Sequence, residues 1–367
     1  MHKTTIRLAD GRQLRYYDAA AGEPRDAADR RDLPPANSAS ELRYEPFLDT
    51  WVIYASHRQD RSYLPSARDC PLCPSADHPT EIPATDYEVV VFDNRFPALS
   101  SAPPGPEPDA TPAPSAGEAA SVLAGRPAAG RCEVVCYTSD HDASFAGLPR
   151  ERVELVLQAL IDRTAELSAL PGVDQVFCFE NRGREIGVTQ PHPHGQIYAY
   201  PFITPRTDKA LSAARSYYRR TARNLFDDVL AAEQADGTRI VTQTEHWVAF
   251  VPHAARWPYE IHLYPRRRVP DLASLHAAEL TDLAGIELDI FGRFARLFDQ
   301  PAPYIAGWHQ APVRSGRELF ALHLELFTSR RASDKLKYLA GSESAMDAFA
   351  SDVLPEAAAA RLREVGP

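Results

Sequence analysis

The segment His192-Pro193-His194-Gly195-Gln196 holds the residues best able to do chemistry in this chain. It is preceded by Glu180-Asn181-Arg182-Gly183-Arg184-Glu185-Ile186-Gly187-Val188-Thr189-Gln190-Pro191, a stretch that carries polar groups where a strand would be apolar. Side chains two residues apart on an extended chain share a face, and Gly187 and Gly195 let a ligand or another backbone come close. Imidazole is largely neutral near pH 7, attacks phosphorus, and forms a phosphoimidazole that passes its group on. A pair of histidines taken alone is more often surface or metal-ligating; the neighbouring glycines and Gln196 turn the reading toward a two-step phosphorus transfer.

Three other features bear on chemistry. Cys70-Pro71-Leu72-Cys73 is a CxxC unit that reads as a redox pair, two buried thiols or half of a metal site. Five cysteines do not make the dense, even framework of a secreted disulfide scaffold. Arg58 and Arg61, in His57-Arg58-Gln59-Asp60-Arg61, suit phosphate oxygens, although either one alone reads as solvated surface.

The elements that must position these groups are legible in outline. The chain has 367 residues and a formal charge of -10, enough length for a substantial core and the wrong sign for a general polyanion binder. No apolar run reaches about 18 residues and the start lacks a signal-peptide core, so a cytoplasmic protein without nucleic-acid or membrane partners is expected. Runs at 89–92, 134–137, 176–179 and 197–200 read as strands of one sheet. Val153, Val156, Leu157, Leu160, Thr164 and Leu167 recur at helical spacing between the second and third. After a charged helical stretch near 210–235 the order recurs: strands at 247–250 and 261–264, a helix with Leu283, Ile286, Ile290, Phe294 and Leu297, then strands at 304–308 and 319–327. An internal repeat follows, with His323-Leu324-Glu325 expected opposite His192-Pro193-His194. Residues 1–37 are expected to be a flexible segment, 38–204 and 205–367 the two halves, and 101–130, rich in Ala, Pro, Gly and Ser, a mobile insertion.

From about Arg43 to Val365 the chain resembles the galactose-1-phosphate uridylyltransferases of the histidine-triad superfamily. The motifs that carry the resemblance are His192 to Gln196, Glu180-Asn181-Arg182-Gly183, Thr244-Glu245-His246-Trp247, Trp257-Pro258-Tyr259-Glu260 and Gly307-Trp308-His309-Gln310-Ala311-Pro312. The resemblance implies an α+β fold of two tandem histidine-triad-like halves, antiparallel-rich sheets with flanking helices. It implies that His194 takes UMP from UDP-glucose, releases glucose 1-phosphate and delivers UMP to galactose 1-phosphate, in a ping-pong cycle of galactose metabolism. Gln196 stands where related hydrolases have a third histidine, and its amide can stabilise phosphate charge without titrating.

The same resemblance implies a structural zinc on Cys70, Cys73, His141 and His192. It also implies a second divalent metal, iron or zinc, with His309 and His323 as candidates; Glu325 stands where the family has another histidine, and no glutamate near Ala210 matches the family's carboxylate ligand. Nucleotide contacts fall on Arg58, Arg61, Phe92, Asn94, Asn181, Gly187, Thr189 and Gln196. Sugar contacts fall on Lys337, Tyr338, Ala340 and Glu343, with Ser342 in place of a tyrosine and Phe349 in place of a glutamine. A homodimer with composite sites is expected. The alternatives are a sibling enzyme acting on another nucleotide sugar, such as ADP-glucose, and a non-catalytic zinc-binding module.

Overall fold

A computed structural model describes residues 1–22, 24–35, 40–60, 65–100 and 123–366. Its strands are β1 (His2–Arg7), β2 (Gln13–Asp18), β3 (Glu41–Glu45), β4 (Thr50–Tyr54), β5 (Val89–Asp93), β6 (Gly125–Pro127), β7 (Arg131–Cys136), β8 (Gln175–Arg182) and β9 (His194–Tyr200) in the first part. The second part has β10 (Ile240–Gln243), β11 (Trp247–Phe250), β12 (Tyr259–Pro265), β13 (Tyr304–His309), β14 (His323–Thr328), β15 (Arg330–Ala332) and β16 (Lys335–Leu336). The helices are α1 (Arg150–Ser168), α2 (Pro205–Thr221), α3 (Leu225–Asp236), α4 (Ala277–Arg296), α5 (Gly341–Met346) and α6 (Pro355–Glu364).

Eleven strands form one continuous sheet in the order β1-β2-β5-β7-β9-β8-β13-β14-β12-β11-β10. All of its neighbours run antiparallel. The order on the two sides of the β8 and β13 pair matches strand for strand, apart from the extra edge strand β1. Thus β5, β7, α1, β8 and β9 of the first half correspond to β11, β12, α4, β13 and β14 of the second. The two tandem halves are therefore present, merged edge to edge. Helices α1 and α4 lie against one face, where Val153, Val156, Leu157 and Leu167 meet Leu283, Ile286, Ile290 and Phe294 in a single apolar core. Each such side chain contributes about 1.5–3 kcal/mol when fully buried. The core thus holds both halves as one body and leaves the opposite face of the sheet for chemistry.

The fold departs from expectation in three places. Residues 1–37 do not begin as a flexible segment: β1 and β2 form a hairpin on the edge of the sheet, because Leu14, Tyr16 and Tyr17 bury against it. Arg31 then ties the following stretch to Glu81 at 2.7 Å. Within the 101–130 tract, residues 101–122 lie outside the described residues, and 125–127 form β6, which pairs with β3 in a small sheet beside β4.

The third departure is the register of the repeat. Phe179 pairs with both Gln196 and Gly307, and Gly307 pairs with Glu325. That row joins Gln196 to Glu325, and because β9 begins at His194 and β14 at His323, each with its Nδ1 2.8 Å from the carbonyl oxygen two residues earlier, His323 corresponds to His194 and not to His192. The two-residue offset arises because His192 and Pro193 precede their strand, whereas β14 begins at His323 itself.

Candidate active site and metal centre

Strand β9 displays His194, Gln196 and Tyr198 on its outer face and turns Gly195, Ile197 and Ala199 to the core, as strand alternation requires. A Cβ at Gly195 would lie 2.2 Å from the Tyr137 hydroxyl oxygen, so only glycine lets that buried tyrosine pass beneath the strand. One row of paired residues crosses the sheet at this level: Phe92, Val134, Gln196, Phe179, Gly307, Glu325 and His262. Gly307 is needed in that row, because a Cβ there would meet the Phe177 ring at 2.6 Å.

The imidazole of His194 has one nitrogen committed. Its Nδ1 lies 2.8 Å from the carbonyl oxygen of His192, and a carbonyl only accepts, so Nδ1 carries the proton and Nε2 the lone pair. Burial lowers the pKa of His194, which keeps the ring neutral and nucleophilic. Gln196, two residues along the same face, presents an amide that can donate without changing charge.

His192 lies just ahead of the strand, so the shared face expected for two histidines belongs instead to His194 and Gln196. Its own ring turns inward and is 1% exposed. Its Nε2 sits 2.8 Å from the Tyr87 hydroxyl and 2.9 Å from the Thr138 carbonyl oxygen. The carbonyl again demands a proton, leaving Nδ1 to ligate. That nitrogen is 3.6 Å from Cys73 Sγ, and Nδ1 of His141 is 3.4 Å from the same sulfur.

Together with Cys70 the three residues place all their donor atoms within 4.8 Å of one another. Two thiols and two imidazoles are a closed tetrahedral set for zinc; bonds of about 2.3 Å to sulfur and 2.0 Å to nitrogen make an S to N edge of about 3.5 Å. Burial pushes the Cys73 thiol up to about 12, with Cys70 beside it adding to the shift, and brings His192 down to about 4. A buried pair of thiols is inert without a cation, and a coordinated thiol is deprotonated. The residues present fit the metal.

The other expected contacts divide. Arg58 reaches the outer face, where its Nη1 donates to the Tyr198 hydroxyl at 3.3 Å. Arg61 lies outside the described residues. Phe92 is buried in the cross-sheet row, and Asn94 Oδ1 accepts from the Phe96 amide at 2.8 Å. Asn181 is the last residue but one of β8, Gly187 closes the turn after the strand at φ +79°, and Thr189 is half-buried on the way to His192. Lys337, Tyr338, Ala340 and Glu343 lie on one segment, where Lys337 Nζ pairs with Glu343 at 3.4 Å with both side chains largely covered, while Tyr338 is 74% exposed. The polar contacts of this segment run to Ser329 and Ala350 and within itself, away from the His194 strand.

Several participants escaped sequence reading. Tyr87 is buried, and its hydroxyl donates to the Leu72 carbonyl at 3.0 Å, joining the CxxC loop to His192. His262 and Glu260 stand beside Glu325, with His309 and His323 on its other side. The alternation Glu260-x-His262 on a strand was the signal that could have found them. Among the described residues no helix is long and apolar enough to cross a membrane.

Comparison with known proteins agrees with this geometry. The model of the galactose-1-phosphate uridyl transferase N-terminal domain matches residues 30–204, and that of the C-terminal domain matches 210–366. A galactose-1-phosphate uridylyltransferase of Streptomyces lividans is 48% identical over 378 aligned residues, covering 100% of this chain and 98% of its own. One of Thermotoga maritima is 38% identical, covering 88% of this chain and 98% of its own. The solved structure of a uridylyltransferase superposes with a TM-score of 0.77 at 30% identity, covering 89% of this chain and 98% of that one. The chain belongs to the galactose-1-phosphate uridyl transferase family.

Proposed function

We propose that the chain transfers UMP from UDP-glucose to galactose 1-phosphate through a covalent intermediate on His194. The observation that carries the reading is the hydrogen bond from His194 Nδ1 to the His192 carbonyl, which aims the Nε2 lone pair from the outer face beside Gln196. In the first half-reaction Nε2 attacks the phosphorus of the uridylyl group. The bond from phosphorus to the glucose 1-phosphate oxygen breaks as the bond to nitrogen forms. The His192 carbonyl holds the proton on Nδ1 while the ring gains positive character. In the second half-reaction a phosphate oxygen of galactose 1-phosphate displaces nitrogen from phosphorus and restores the free imidazole. The Gln196 amide donates to a non-bridging oxygen in both steps.

A structural zinc on Cys70, Cys73, His141 and His192 supports this reading, because it would anchor the residue whose carbonyl orients the nucleophile. Arg58, Arg61, Phe92, Asn94, Asn181, Gly187 and Thr189 are assigned to the nucleotide. Lys337, Tyr338, Ala340 and Glu343 are assigned to the sugar across the interface of a homodimer. A cytoplasmic place in galactose metabolism goes with that assignment.

Incubation with UDP-glucose, followed by mass spectrometry of the intact chain, tests the proposal. A UMP-sized adduct is expected on the wild type, discharged by galactose 1-phosphate and absent from His194→Ala. An adduct that persists in His194→Ala removes the nucleophile from this role, and one formed from ADP-glucose in preference changes the base.

A further inference from the structure

Among the described residues, edge strand β1 has no counterpart in the second half, whose side of the sheet stops at β10. The β1 and β2 hairpin also precedes the match to the family's N-terminal domain, which begins at residue 30. Strand alternation divides β2 between two partners. Tyr17 turns toward α1, where its hydroxyl donates to Asp162 at 2.7 Å. Leu14 and Tyr16 turn the other way and share an apolar cluster with Cys70, Leu72, Ile82 and Tyr87. The hairpin therefore packs on the loop that carries the two thiols.

The carbonyls of that loop are held in succession by one segment. The Glu81 amide donates to Pro71 at 3.0 Å, the Tyr87 hydroxyl to Leu72 at 3.0 Å and the Thr80 hydroxyl to Cys73 at 2.5 Å. The N-terminal stretch in turn fixes the segment. The Ala84 amide donates to the Tyr16 hydroxyl at 3.2 Å. The buried Glu81 carboxylate receives Arg12 Nη2 on Oε2 at 2.6 Å and Arg31 Nη1 on Oε1 at 2.7 Å. Arg12 also donates to Asp10 at 2.7 Å and to the Asp93 carbonyl, at the end of β5, at 2.8 Å. Asp29 accepts from Arg31 at 2.7 Å and from the Ala9 amide at 3.0 Å, which closes a ring of ion pairs beside the loop. Displacing either guanidinium strands charge away from water, so the ring resists being pulled apart.

We propose that the N-terminal stretch is a clamp on the Cys70 to Cys73 loop, with Glu81 as its latch, and that Arg12, Arg31 and Glu81 are positioning residues for the nucleophile. The route is continuous. Glu81 joins the two arginines by its carboxylate to the Pro71 carbonyl by its amide. Cys73 Sγ faces His192 Nδ1 at 3.6 Å, and the His192 carbonyl holds Nδ1 of His194. Tyr87 adds a second link, since its hydroxyl touches both Leu72 and the His192 ring. A loop free to shift would release its sulfur ligands and let the His192 backbone turn, so metal retention and the aim of His194 should fail together. The clamp's effect on transfer rests on the reading of His194 as nucleophile and of Cys70, Cys73, His141 and His192 as zinc ligands.

The full chain loaded with zinc is mixed with excess colour-forming chelator well below its unfolding temperature, as wild type and as Arg12→Gln, Glu81→Gln, Arg31→Gln and Tyr17→Phe. Zinc should be lost about 10–100-fold more readily from Arg12→Gln and Glu81→Gln, the range for removing an outer partner of a metal site. Arg31→Gln leaves Arg12 on the carboxylate, so its effect should be smaller, and it decides the matter if the other two fail to fold. Tyr17→Phe loosens the hairpin on the α1 side and should keep zinc as the wild type does, which separates general loss of stability from loss of the clamp. Amide hydrogen exchange should quicken at 70–87 in the Arg12, Glu81 and Arg31 variants and stay unchanged in β10 to β14. Adduct formation at saturating UDP-glucose should slow in the same variants, while the concentration giving half the rate stays put, because the clamp acts on aim and not on nucleotide binding. Zinc release and exchange at 70–87 as slow in these variants as in the wild type overturn the clamp; quicker release with an unchanged adduct rate overturns the positioning role. A wild type that takes up no zinc, or forms no adduct, counts against the zinc or the nucleophile reading instead, and exchange at 70–87 still decides the clamp.

Discussion

His194 and His323 occupy corresponding positions in the two halves and are held by the same backbone device. In each, Nδ1 donates to the carbonyl two residues earlier at 2.8 Å, and Nε2 is turned out from the start of a strand. The side chains around them differ. Two residues on, His194 has the neutral amide of Gln196, whereas His323 has the carboxylate of Glu325, flanked by His309 and His262. A phosphate approaching His323 would meet a fixed negative charge and a ring already stacked between Tyr264 and His309 at centroid distances of 4.7 and 4.9 Å. The orientation of an imidazole is thus a property of the repeat, and the residue two positions later sets the charge that an incoming group meets beside it.

The sharpest way to break that comparison is to give the first half the second half's charge. Gln196→Glu removes the amide donor and places a carboxylate beside His194, on the face where phosphate must enter. Loss of one preorganised donor costs about 10²–10³ in rate, and like-charge repulsion adds to it. Single-turnover formation of the UMP adduct should therefore fall by at least ~10²-fold. The carboxylate should also raise the pKa of His194, moving the acid limb of the pH-rate profile upward. A variant with wild-type rate and profile would show that the amide does not separate the two halves.

The two halves also differ in how openly their chemistry is written in the amino-acid order. The CxxC spacing alone leaves a redox pair, two buried thiols and half of a metal site open, and it is the resemblance that brings His141 and His192 to it, a grouping the fold reproduces. The strands and both long helices are legible from apolar period, since Val153 to Leu167 and Leu283 to Leu297 form the shared core. Register is not legible. Periodicity alone leaves a two-residue shift undetected, because every side chain keeps its face, and the shift sets His323 against the wrong histidine. His262 is hidden because its neighbours Ile261 and Leu263 make the strand look like ordinary core, and its partner Glu325 is 63 residues away along the chain. The hairpin at 2–18 is obscured by the polar stretch that follows it.

Beneath the two strands lies a further contrast. Gly195 is followed through the sheet by the Tyr137 ring, a close approach that β14 handles with Leu324 in the corresponding place. Gly195→Ala should displace Tyr137 or the strand and cost about 1–3 kcal/mol, the usual range for overpacking. The chemical denaturation midpoint should fall, with adduct formation falling further than stability alone explains, because the backbone that aims His194 moves. Tyr137→Phe in the same chain removes the oxygen that a Cβ would strike and should recover part of both losses. No recovery in the double variant would place the constraint elsewhere.

The smallest effect concerns the seam where the halves meet. Glu180 of β8 is fully buried and accepts from the Tyr304 hydroxyl of β13 at 2.6 Å, while Glu287 of α4 is buried beside it. Burial pushes Glu180 up to about 7; burial, reinforced by Glu180, pushes Glu287 up to about 8. A carboxyl that binds its proton more tightly when folded makes stability fall as pH rises from the unfolded value near 4.5 through the folded one, with no further loss above it. Glu287→Gln keeps the shape and removes the titration. Its melting temperature should match the wild type near pH 5 and exceed it at pH 8.5. The mirror outcome, a variant less stable than the wild type at pH 8.5, would mean that Glu287 is ionised in the fold and bonded there. The seam would then be held by charge, and the apolar core shared by α1 and α4 would not be enough to join the halves.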